Sequence, residues 1–374
     1  FCLSRMQVPL LDIKTQNAAL EPALTQAFQR VFQSGKFILG EEVEGFEKEV
    51  CAYTGAKHAV ALSSGTDALL VAFLALGIGA GDEVICPSYT FFASAGCIAR
   101  TGAKPVFVDS LEDTFNLDPQ KLEEKITPKT RAILVVHLFG QAAAMNEIRE
   151  IAKRHNLPVI EDAAQTLGAR YEDQAVGTMG CFGTYSFFPS KNLGGFGDAG
   201  LLVTNDDALA EKSLRLRNHG MHPKYHHSMI GGNFRIDALQ AALLRVKLPH
   251  LDTYCEKRAK NAAQYQKLLA KVEGIILPAV KAGNHCIWNQ FTLRVKNGKR
   301  DALRDYLAGQ GIGSEIYYPI PMHQQECFHY LNYKREDFPI ASQLAEEALS
   351  IPIYPELAEA QIDYVAEKIC QFKA

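Results

Sequence analysis

The segment VIEDAAQ at residues 159–165 runs from an apolar strand directly into two acidic residues, and it indicates the class of fold. Six further β-rich runs alternate with helical patterns through the first two thirds of the chain: HAVAL, DEVICPS, KPVFVD, RAILVVHLF, GTYSFF and GLLVT. Several of these runs are almost continuously apolar, as expected of strands that helices cover on both faces. We therefore predict an α/β protein that binds its ligand beyond the carboxyl ends of the strands.

The length and composition of the chain favour two domains and small-molecule chemistry. A chain of 374 residues exceeds what one hydrophobic core usually supports. A change of sequence texture near Leu251 predicts a large domain at residues 1–250 and a smaller domain at residues 251–374. The net charge is −3, the basic residues are scattered, and no segment approaches the ~20 apolar residues of a membrane helix. We therefore expect binding to neither nucleic acid nor membrane.

The cysteines and the first residues bear on the cellular compartment. Nine cysteines lie far apart without a C-x-x-C pair, which favours a reduced, cytoplasmic location. The opening residues FCLSR lack the apolar core of a secretory signal, and Met6 is the expected functional start. Whether residues 1–5 belong to the native protein stays open.

The segment SSGTDAL at residues 63–69 follows the run HAVAL and opens a helical pattern. Free backbone N–H groups, hydroxyls and the positive end of the helix dipole make such a helix start suitable for a phosphate. The alternative is that Ser64 or Thr66 only caps the helix.

Two charged residues stand at the ends of other β-rich runs. Asp162 could keep a pyridine nitrogen protonated, or it could cap a following helix. Lys191, in TYSFFPSKNLGG at residues 184–195, is placed to face a cleft. An amine that attacks an aldehyde must be unprotonated, and a desolvated site favours that form, although most lysines are simply solvated.

The segment PSYTFF at residues 87–92 offers aromatic rings at a further strand end. One ring could stack on a flat heterocycle, whereas core packing is the expected role of Phe92. An anion site, an aromatic platform, an acid and a lysine thus follow one another along the chain, each at a strand end. This order predicts that they surround one bound ring.

These segments resemble, nearly end to end, the DegT/DnrJ/EryC1/StrS family of sugar aminotransferases. The resemblance is carried by SSGTDAL, GDEVICPSYTFFAS, VIEDAAQTLGA, YSFFPSKNLGGFGDAG and GGNFRIDALQAA. It implies the aspartate-aminotransferase-like fold of type I pyridoxal-phosphate enzymes, with a mixed, mostly parallel seven-stranded sheet in the large domain and a smaller C-terminal α/β domain. It also implies pyridoxal 5'-phosphate as the cofactor.

The resemblance assigns roles to individual residues. Lys191 would hold the cofactor as a Schiff base and then move the substrate proton. Asp162 would pair with the pyridine nitrogen, and Gln165 would donate a hydrogen bond to the ring oxygen. Phe91 would stack on the ring, with Tyr89 as the alternative. The expected phosphate contacts are Gly65, Thr66 and Ser186, together with Asn233 of the partner subunit, which implies a homodimer with shared active sites.

The implied reaction moves an amino group from L-glutamate to a nucleotide-linked keto sugar. Phe188 and the residues GDAG at 197–200 look like those of members acting on 3-keto sugars, so a dTDP-linked 3-keto-6-deoxyhexose is expected first. A UDP-linked 3-keto sugar or uronate and a 4-keto sugar are alternatives, and the product could feed a polysaccharide or a natural product. The candidate substrate contacts are His219, Tyr318 and His323, and structural packing is the alternative for Tyr318 and His323.

Two other hypotheses are a non-catalytic protein and a metal-binding protein. A non-catalytic regulator or binding protein is possible on this fold, but Lys191 argues against it. The four histidines within residues 218–227 invite a metal site, yet their Gly- and Pro-containing run is typical of a loop over the cleft, and we expect no metal.

Overall fold

The structure is a computed structural model that describes residues 6–372. The prediction about residues 1–5 lies outside this range. Within it, no helix is both long and apolar enough to cross a membrane. The eight cysteines it includes are all free thiols, and the cytoplasmic location stays a prediction.

Seven of the strands in the described residues match the β-rich runs of the sequence, because such runs are stable where apolar side chains are covered. In chain order the strands are β1 (His58–Leu62), β2 (Glu83–Pro87), β3 (Lys104–Val108), β4 (Thr130–Val136), β5 (Val159–Asp162), β6 (Arg170–Tyr171), β7 (Gln174–Ala175), β8 (Phe182–Ser186), β9 (Gly200–Thr204), β10 (Ile275–Ile276), β11 (Asn284–His285), β12 (Phe291–Val295) and β13 (Ala348–Ile351).

The α-helices precede, separate and follow these strands. They are α1 (Ile13–Ala18), α2 (Glu21–Ser34), α3 (Glu41–Thr54), α4 (Gly65–Ala75), α5 (Phe92–Arg100), α6 (Met145–Arg154), α7 (Asp207–Arg217), α8 (Ala238–Lys247), α9 (Leu251–Leu269), α10 (Arg300–Gly309), α11 (Pro339–Glu347) and α12 (Glu359–Gln371).

Seven strands form one sheet in the order β1-β9-β8-β5-β4-β2-β3. β9 runs antiparallel to both of its neighbours, and the other pairs are parallel. The expected mixed, mostly parallel seven-stranded sheet is therefore confirmed. Parallel strands bring Asp162 of β5 and Ser186 of β8 to one edge, and the reversal of β9 brings its first residue, Gly200, to the same edge.

The sheet separates two hydrophobic cores. Side chains of β4 alternate between them: Ile133 and Val135 pack in the core that contains α2, α3 and α8. Leu134 and Val136 pack in the core that contains α4 and α5. Because both faces are covered, the strands are stable as continuous apolar runs, and polar chemistry is confined to their ends.

The C-terminal part has its own three-stranded sheet, β10-β12-β13, and its own core with α9, α10 and α12. It is also attached to the large sheet. Asp109, just after β3, accepts hydrogen bonds from the N–H groups of Ile340 and Ala341 at the start of α11, at 3.1 and 2.8 Å. Phe328 and Leu344 pack in the core of α4 and α5. The domain boundary near residue 250 stays a prediction.

Candidate active site

A cavity of about 410 Å³ opens at the edge of the sheet where β5 and β8 end. Its walls come from both parts of the chain, since Tyr317 and Tyr318 line it together with residues of the large sheet. Eight of the eleven predicted site residues line this cavity: Gly65, Thr66, Phe91, Asp162, Gln165, Ser186, Lys191 and Tyr318.

The other three predicted residues lie outside the cavity wall. His323 is buried, and its Nδ1 lies 2.6 Å from Ser88 Oγ, so a contact with substrate has no support from its position. His219 is exposed, and its carbonyl oxygen lies 2.9 Å from His227 Nδ1. Asn233 is also exposed, at a β-bridge to Asn218.

The start of α4 forms one end of the cavity. Ser64 caps the helix, because its Oγ accepts the N–H of Asp67 at 3.0 Å, and Ser63 Oγ donates to the Asp67 carboxylate at 2.6 Å. Ser63 uses its proton in this contact, whereas Ser64 only accepts, so the Ser64 O–H and the backbone N–H groups of Gly65 and Thr66 are donors available to an anion. The capping role and the anion site therefore coexist.

Close packing at this end of the cavity requires a glycine. A Cβ on Gly65 would lie 2.7 Å from Ser186 Cβ, and a Cβ on Gly200 would lie 2.5 Å from the nitrogen of Gly65. The absence of these atoms allows the α4 terminus to approach the ends of β8 and β9. The result is a tight cradle of backbone N–H groups with the Ser186 hydroxyl beside it.

Asp162 ends β5 and is 5% exposed. Its Oδ2 accepts a hydrogen bond from Ser94 Oγ at 2.8 Å, and its Oδ1 accepts the N–H of Ala164 at 3.2 Å. Burial raises the pKa of this carboxyl, while the hydrogen bonds and the charge of Lys191 oppose that shift. β5 continues into a turn and β6, so the alternative that Asp162 caps a following helix is wrong.

Lys191 lies in the connection between β8 and β9, in a turn where its N–H donates to the carbonyl of Phe188 at 2.8 Å. A Cβ on Gly194 would lie 2.3 Å from the carbonyl oxygen of Pro189, so the turn requires glycine there. Burial lowers the pKa of the Lys191 ammonium to about 8, and the charge of Asp162 acts in the opposite direction. A large share of this amine is therefore unprotonated in mildly alkaline solution.

Gln165 is held in one orientation. Its Oε1 accepts the N–H of Phe139 at 2.6 Å, and its Nε2 donates to the Tyr318 hydroxyl at 3.3 Å. Because a backbone N–H must meet the amide oxygen, the amide nitrogen is the group of Gln165 that can donate to an acceptor in the cavity.

The two aromatic candidates differ in their surroundings. Phe91 lines the cavity, is 55% exposed, and its ring centroid lies 5.8 Å from that of Tyr318. Tyr89 is 1% exposed, and its hydroxyl donates to the Tyr317 carbonyl at 2.5 Å and accepts the Tyr318 N–H at 2.8 Å. The alternative that Tyr89 stacks on the ring is therefore wrong, and its hydroxyl instead bonds the backbone of Tyr317 and Tyr318. The core role expected of Phe92 is also wrong, because Phe92 is 46% exposed.

His137 also lines the cavity and was absent from the sequence prediction. Its Nδ1 accepts the N–H of Ala143 at 3.0 Å, so its Nε2 carries the proton that bonds Glu161 Oε2 at 2.9 Å. Glu161 in turn accepts the N–H groups of Met179 and Gly180, both at 2.6 Å. The position of His137 directly after the run RAILVV, at a strand end, was the signal that could have identified it.

Comparisons with known proteins point to one family. A sequence model of the DegT/DnrJ/EryC1/StrS aminotransferase family matches residues 19–370. The chain is 49% identical over 369 residues to a pleiotropic regulatory protein of Geobacillus stearothermophilus, covering 98% of this chain and 99% of that protein. It is 44% identical over 365 residues to dTDP-3-amino-3,4,6-trideoxy-alpha-D-glucose transaminase of Streptomyces venezuelae, covering 96% of both.

Among solved structures, the crystal structure of S. venezuelae DesV in complex with a ketimine intermediate matches with a TM-score of 0.95. The two chains are 43% identical, and the match covers 98% of each. The family match and these similarities extend over nearly the whole chain. The chain therefore belongs to the DegT/DnrJ/EryC1/StrS aminotransferase family.

Proposed function

We propose that the chain is a pyridoxal-phosphate-dependent aminotransferase that moves an amino group from L-glutamate to the keto group of a nucleotide-linked 3-keto sugar. The observation that carries this proposal is the meeting of Lys191, Asp162 and the start of α4 around one cavity. These are the three groups that an aldehyde, a pyridine nitrogen and a phosphate on one ring require.

The described residues fit this cofactor at both of its ends. The cradle at Gly65 and Thr66, with Ser186 beside it, leaves backbone donors for a phosphate and no space for larger side chains. Asp162 offers a buried carboxylate to a protonated ring nitrogen, and the amide nitrogen of Gln165 can donate to the ring oxygen. Phe91 presents an exposed ring at the cavity and is the proposed stacking residue.

When bound, pyridoxal phosphate supplies an aldehyde and an electron-withdrawing ring that lowers the energy of a carbanion beside the substrate nitrogen. Lys191 would hold it covalently and then act as the acid and base at the substrate carbon. Its lowered pKa suits both tasks, because an amine with a pKa of about 8 accepts and returns a proton near neutral pH.

The substrate class is proposed from the residues around Lys191 and from the relatives. Phe188 and Asp198 both line the cavity. They belong to the two segments, Phe188 and residues 197–200, that resemble those of family members acting on 3-keto sugars. The S. venezuelae relative, by its name, is a transaminase of a dTDP-linked 3-amino sugar. A dTDP-linked 3-keto-6-deoxyhexose is thus the first candidate, and a UDP-linked sugar or a 4-keto sugar is the alternative.

The regulatory reading has the name of the G. stearothermophilus relative in its favour. A purely regulatory protein, however, would gain nothing from a partly buried amine and a buried carboxylate that each cost desolvation energy. The enzyme proposal is therefore preferred.

We also propose that the active enzyme is a homodimer. Phe28 and Phe32 are 47% and 66% exposed and their ring centroids lie 6.3 Å apart, and an exposed apolar patch is typical of an interface. Asn233 is exposed and free to reach a second subunit, which supports its proposed contact with the phosphate in the partner's site. His219 and Tyr318 stay proposed substrate contacts.

The test combines the purified protein, pyridoxal phosphate and L-glutamate with dTDP- and UDP-linked 3-keto and 4-keto sugars. Mass spectrometry detects the aminated product, and NMR identifies the aminated carbon. A 3-amino product with ping-pong kinetics is expected, and a 4-amino product would contradict the regiochemistry.

Covalent attachment of the cofactor is tested separately by borohydride reduction and intact mass. The wild type and Lys153→Ala, at an exposed lysine, should retain the added mass, whereas Lys191→Ala should lose it. Retention of the mass in Lys191→Ala would overturn the assignment of Lys191.

A further inference from the structure

Two buried hydroxyls connect in series to Asp162. Ser94 Oγ donates to Asp162 Oδ2 at 2.8 Å, and Thr90 Oγ1 lies 3.0 Å from Ser94 Oγ. Ser94 is fully buried and Thr90 is 1% exposed. Neither belongs to the predicted site, and both stand at the start of α5, beside the end of β5.

The donor and acceptor in each of these two hydrogen bonds follow from the number of hydroxyl protons. A serine hydroxyl carries one proton, and that of Ser94 is engaged by Asp162. In the contact between the two hydroxyls, Thr90 is therefore the donor and Ser94 the acceptor. Two dipoles point in sequence toward one carboxylate oxygen, an arrangement in which each hydrogen bond strengthens the next.

Asp162 needs such support because of its position. Burial raises the pKa of its carboxyl, and the Ser94 hydrogen bond is the largest effect in the opposite direction. The Ala164 N–H follows, the positive charge of Lys191 acts in the same sense, and His137 is a titratable neighbour of the carboxyl. Two further titratable groups, Cys97 and Tyr318, also interact electrostatically with Asp162.

We propose that Ser94 and Thr90 are positioning residues of the active site, which fix the Asp162 carboxylate in one orientation and keep it ionised opposite the pyridine nitrogen of the cofactor. This inference rests on the proposed function, in which Asp162 is the partner of that nitrogen. With Ser94 on Oδ2 and Ala164 on Oδ1, each oxygen has one donor from the protein and a lone pair left for the cofactor.

The first test needs no cofactor. Infrared spectroscopy of the apo-protein, with Asp162→Asn subtracted, follows the carbonyl stretch of the protonated Asp162 carboxyl as a function of pH. Ser94→Ala should raise the pH of half-protonation by about one unit, because a hydrogen bond to a charged group is lost. The control is Ser213→Ala, which removes an equally buried serine hydroxyl that bonds the Leu209 carbonyl at 2.8 Å.

The second test uses the loaded protein and the conservative variants of Thr90. Thr90→Val keeps the shape and removes the donor, whereas Thr90→Ser keeps the hydroxyl. We expect the dissociation constant of pyridoxal phosphate to rise roughly tenfold in Ser94→Ala and less in Thr90→Val. The pH dependence of the cofactor absorbance should shift in the same order, and Thr90→Ser should match the wild type.

The outcomes separate this inference from the proposed function. If Ser94→Ala behaves like Ser213→Ala while Asp162→Asn weakens cofactor binding, the hydroxyl chain is irrelevant and the role of Asp162 stands. If Asp162→Asn leaves cofactor affinity and absorbance unchanged, the proposed role of Asp162 fails, and the inference fails with it. A thermal melt of each variant confirms that the folded protein is being compared.

Discussion

Lys191 is a cavity-facing amine whose charge is set by two opposing influences. Burial lowers its pKa from the ordinary 10.5 to about 8, and the charge of Asp162 limits the decrease. Only the unprotonated amine can attack an aldehyde. The rate at which apo-protein takes up pyridoxal phosphate, followed by absorbance, should therefore rise with pH through about 8 and then level off.

The Asp162 carboxylate provides the control for this pH dependence of cofactor uptake. In Asp162→Asn the negative charge is removed, so the ammonium loses its stabilising neighbour and the pKa of Lys191 falls further. The midpoint of the rate profile should move to lower pH. A midpoint that stays in place, or moves to higher pH, would contradict the electrostatic account of this pair.

A second residue with a shifted pKa is His323, and this shift makes the free energy of unfolding depend on pH. Burial lowers the pKa of its imidazole from 6.5 to about 4, and Asp109 and Asp337 oppose the shift. Between these pH values the unfolded chain binds a proton that the folded chain refuses, so the free energy of unfolding decreases as the pH falls from 6.5 to 4. His323→Gln should show a shallower decrease in denaturant titrations, and His250→Gln, at an exposed position, should follow the wild type.

At the scale of elements, the end of β2 holds the segment that carries Tyr317 and Tyr318. Tyr89 makes two hydrogen bonds to that segment, and the Ser88 carbonyl accepts the N–H of Met322 at 2.7 Å. These contacts attach the C-terminal part to the wall of the cavity. Tyr318 in turn meets Gln165, so the attachment also orients a proposed cofactor contact.

Removing the Tyr89 hydroxyl should weaken this attachment. Tyr89→Phe leaves a buried N–H and a buried carbonyl without their partner, a loss of about 1–3 kcal/mol in the free energy of unfolding. Cofactor affinity should decrease as well. Tyr265→Phe is a matched control, because the Tyr265 hydroxyl is equally buried and has no hydrogen-bond partner among residues 6–372. Equal losses in both variants would show that the two Tyr89 hydrogen bonds contribute nothing to stability.

The sequence predicted the elements better than the contacts between them. All seven strands of the large sheet coincide with apolar runs, because a strand covered on both faces is defined by its own composition. Tyr89, by contrast, donates a hydrogen bond to a carbonyl 228 positions away in the sequence, and Ser94 donates one to Asp162, 68 positions away. No local pattern distinguishes such a tyrosine or serine from an ordinary core residue, so Tyr89 stood as the alternative to Phe91 and Ser94 was missed.

At the scale of the whole molecule, shared active sites make a prediction about mixtures. Lys191 and Asn233 would serve the same site from different subunits, so each of Lys191→Ala and Asn233→Ala damages both sites of its own homodimer. In a mixed dimer one site is intact. Random re-pairing after unfolding and refolding of the mixture should restore about a quarter of the wild-type activity. Activity that stays at the level of the separate variants would contradict sharing.

The antiparallel course of β9 has a consequence for the connection that carries Lys191. Residues 187–199 leave the sheet at Ser186 and return at Gly200, two residues that pair directly across adjacent strands. The ends of this loop are therefore held roughly 5 Å apart by the sheet itself. Inside this connection Lys247 Nζ, at the end of α8, donates to the carbonyl of Gly194 at 2.6 Å. The turn that carries the lysine is therefore anchored from two directions, by the sheet at both ends of the connection and by a helix in its middle.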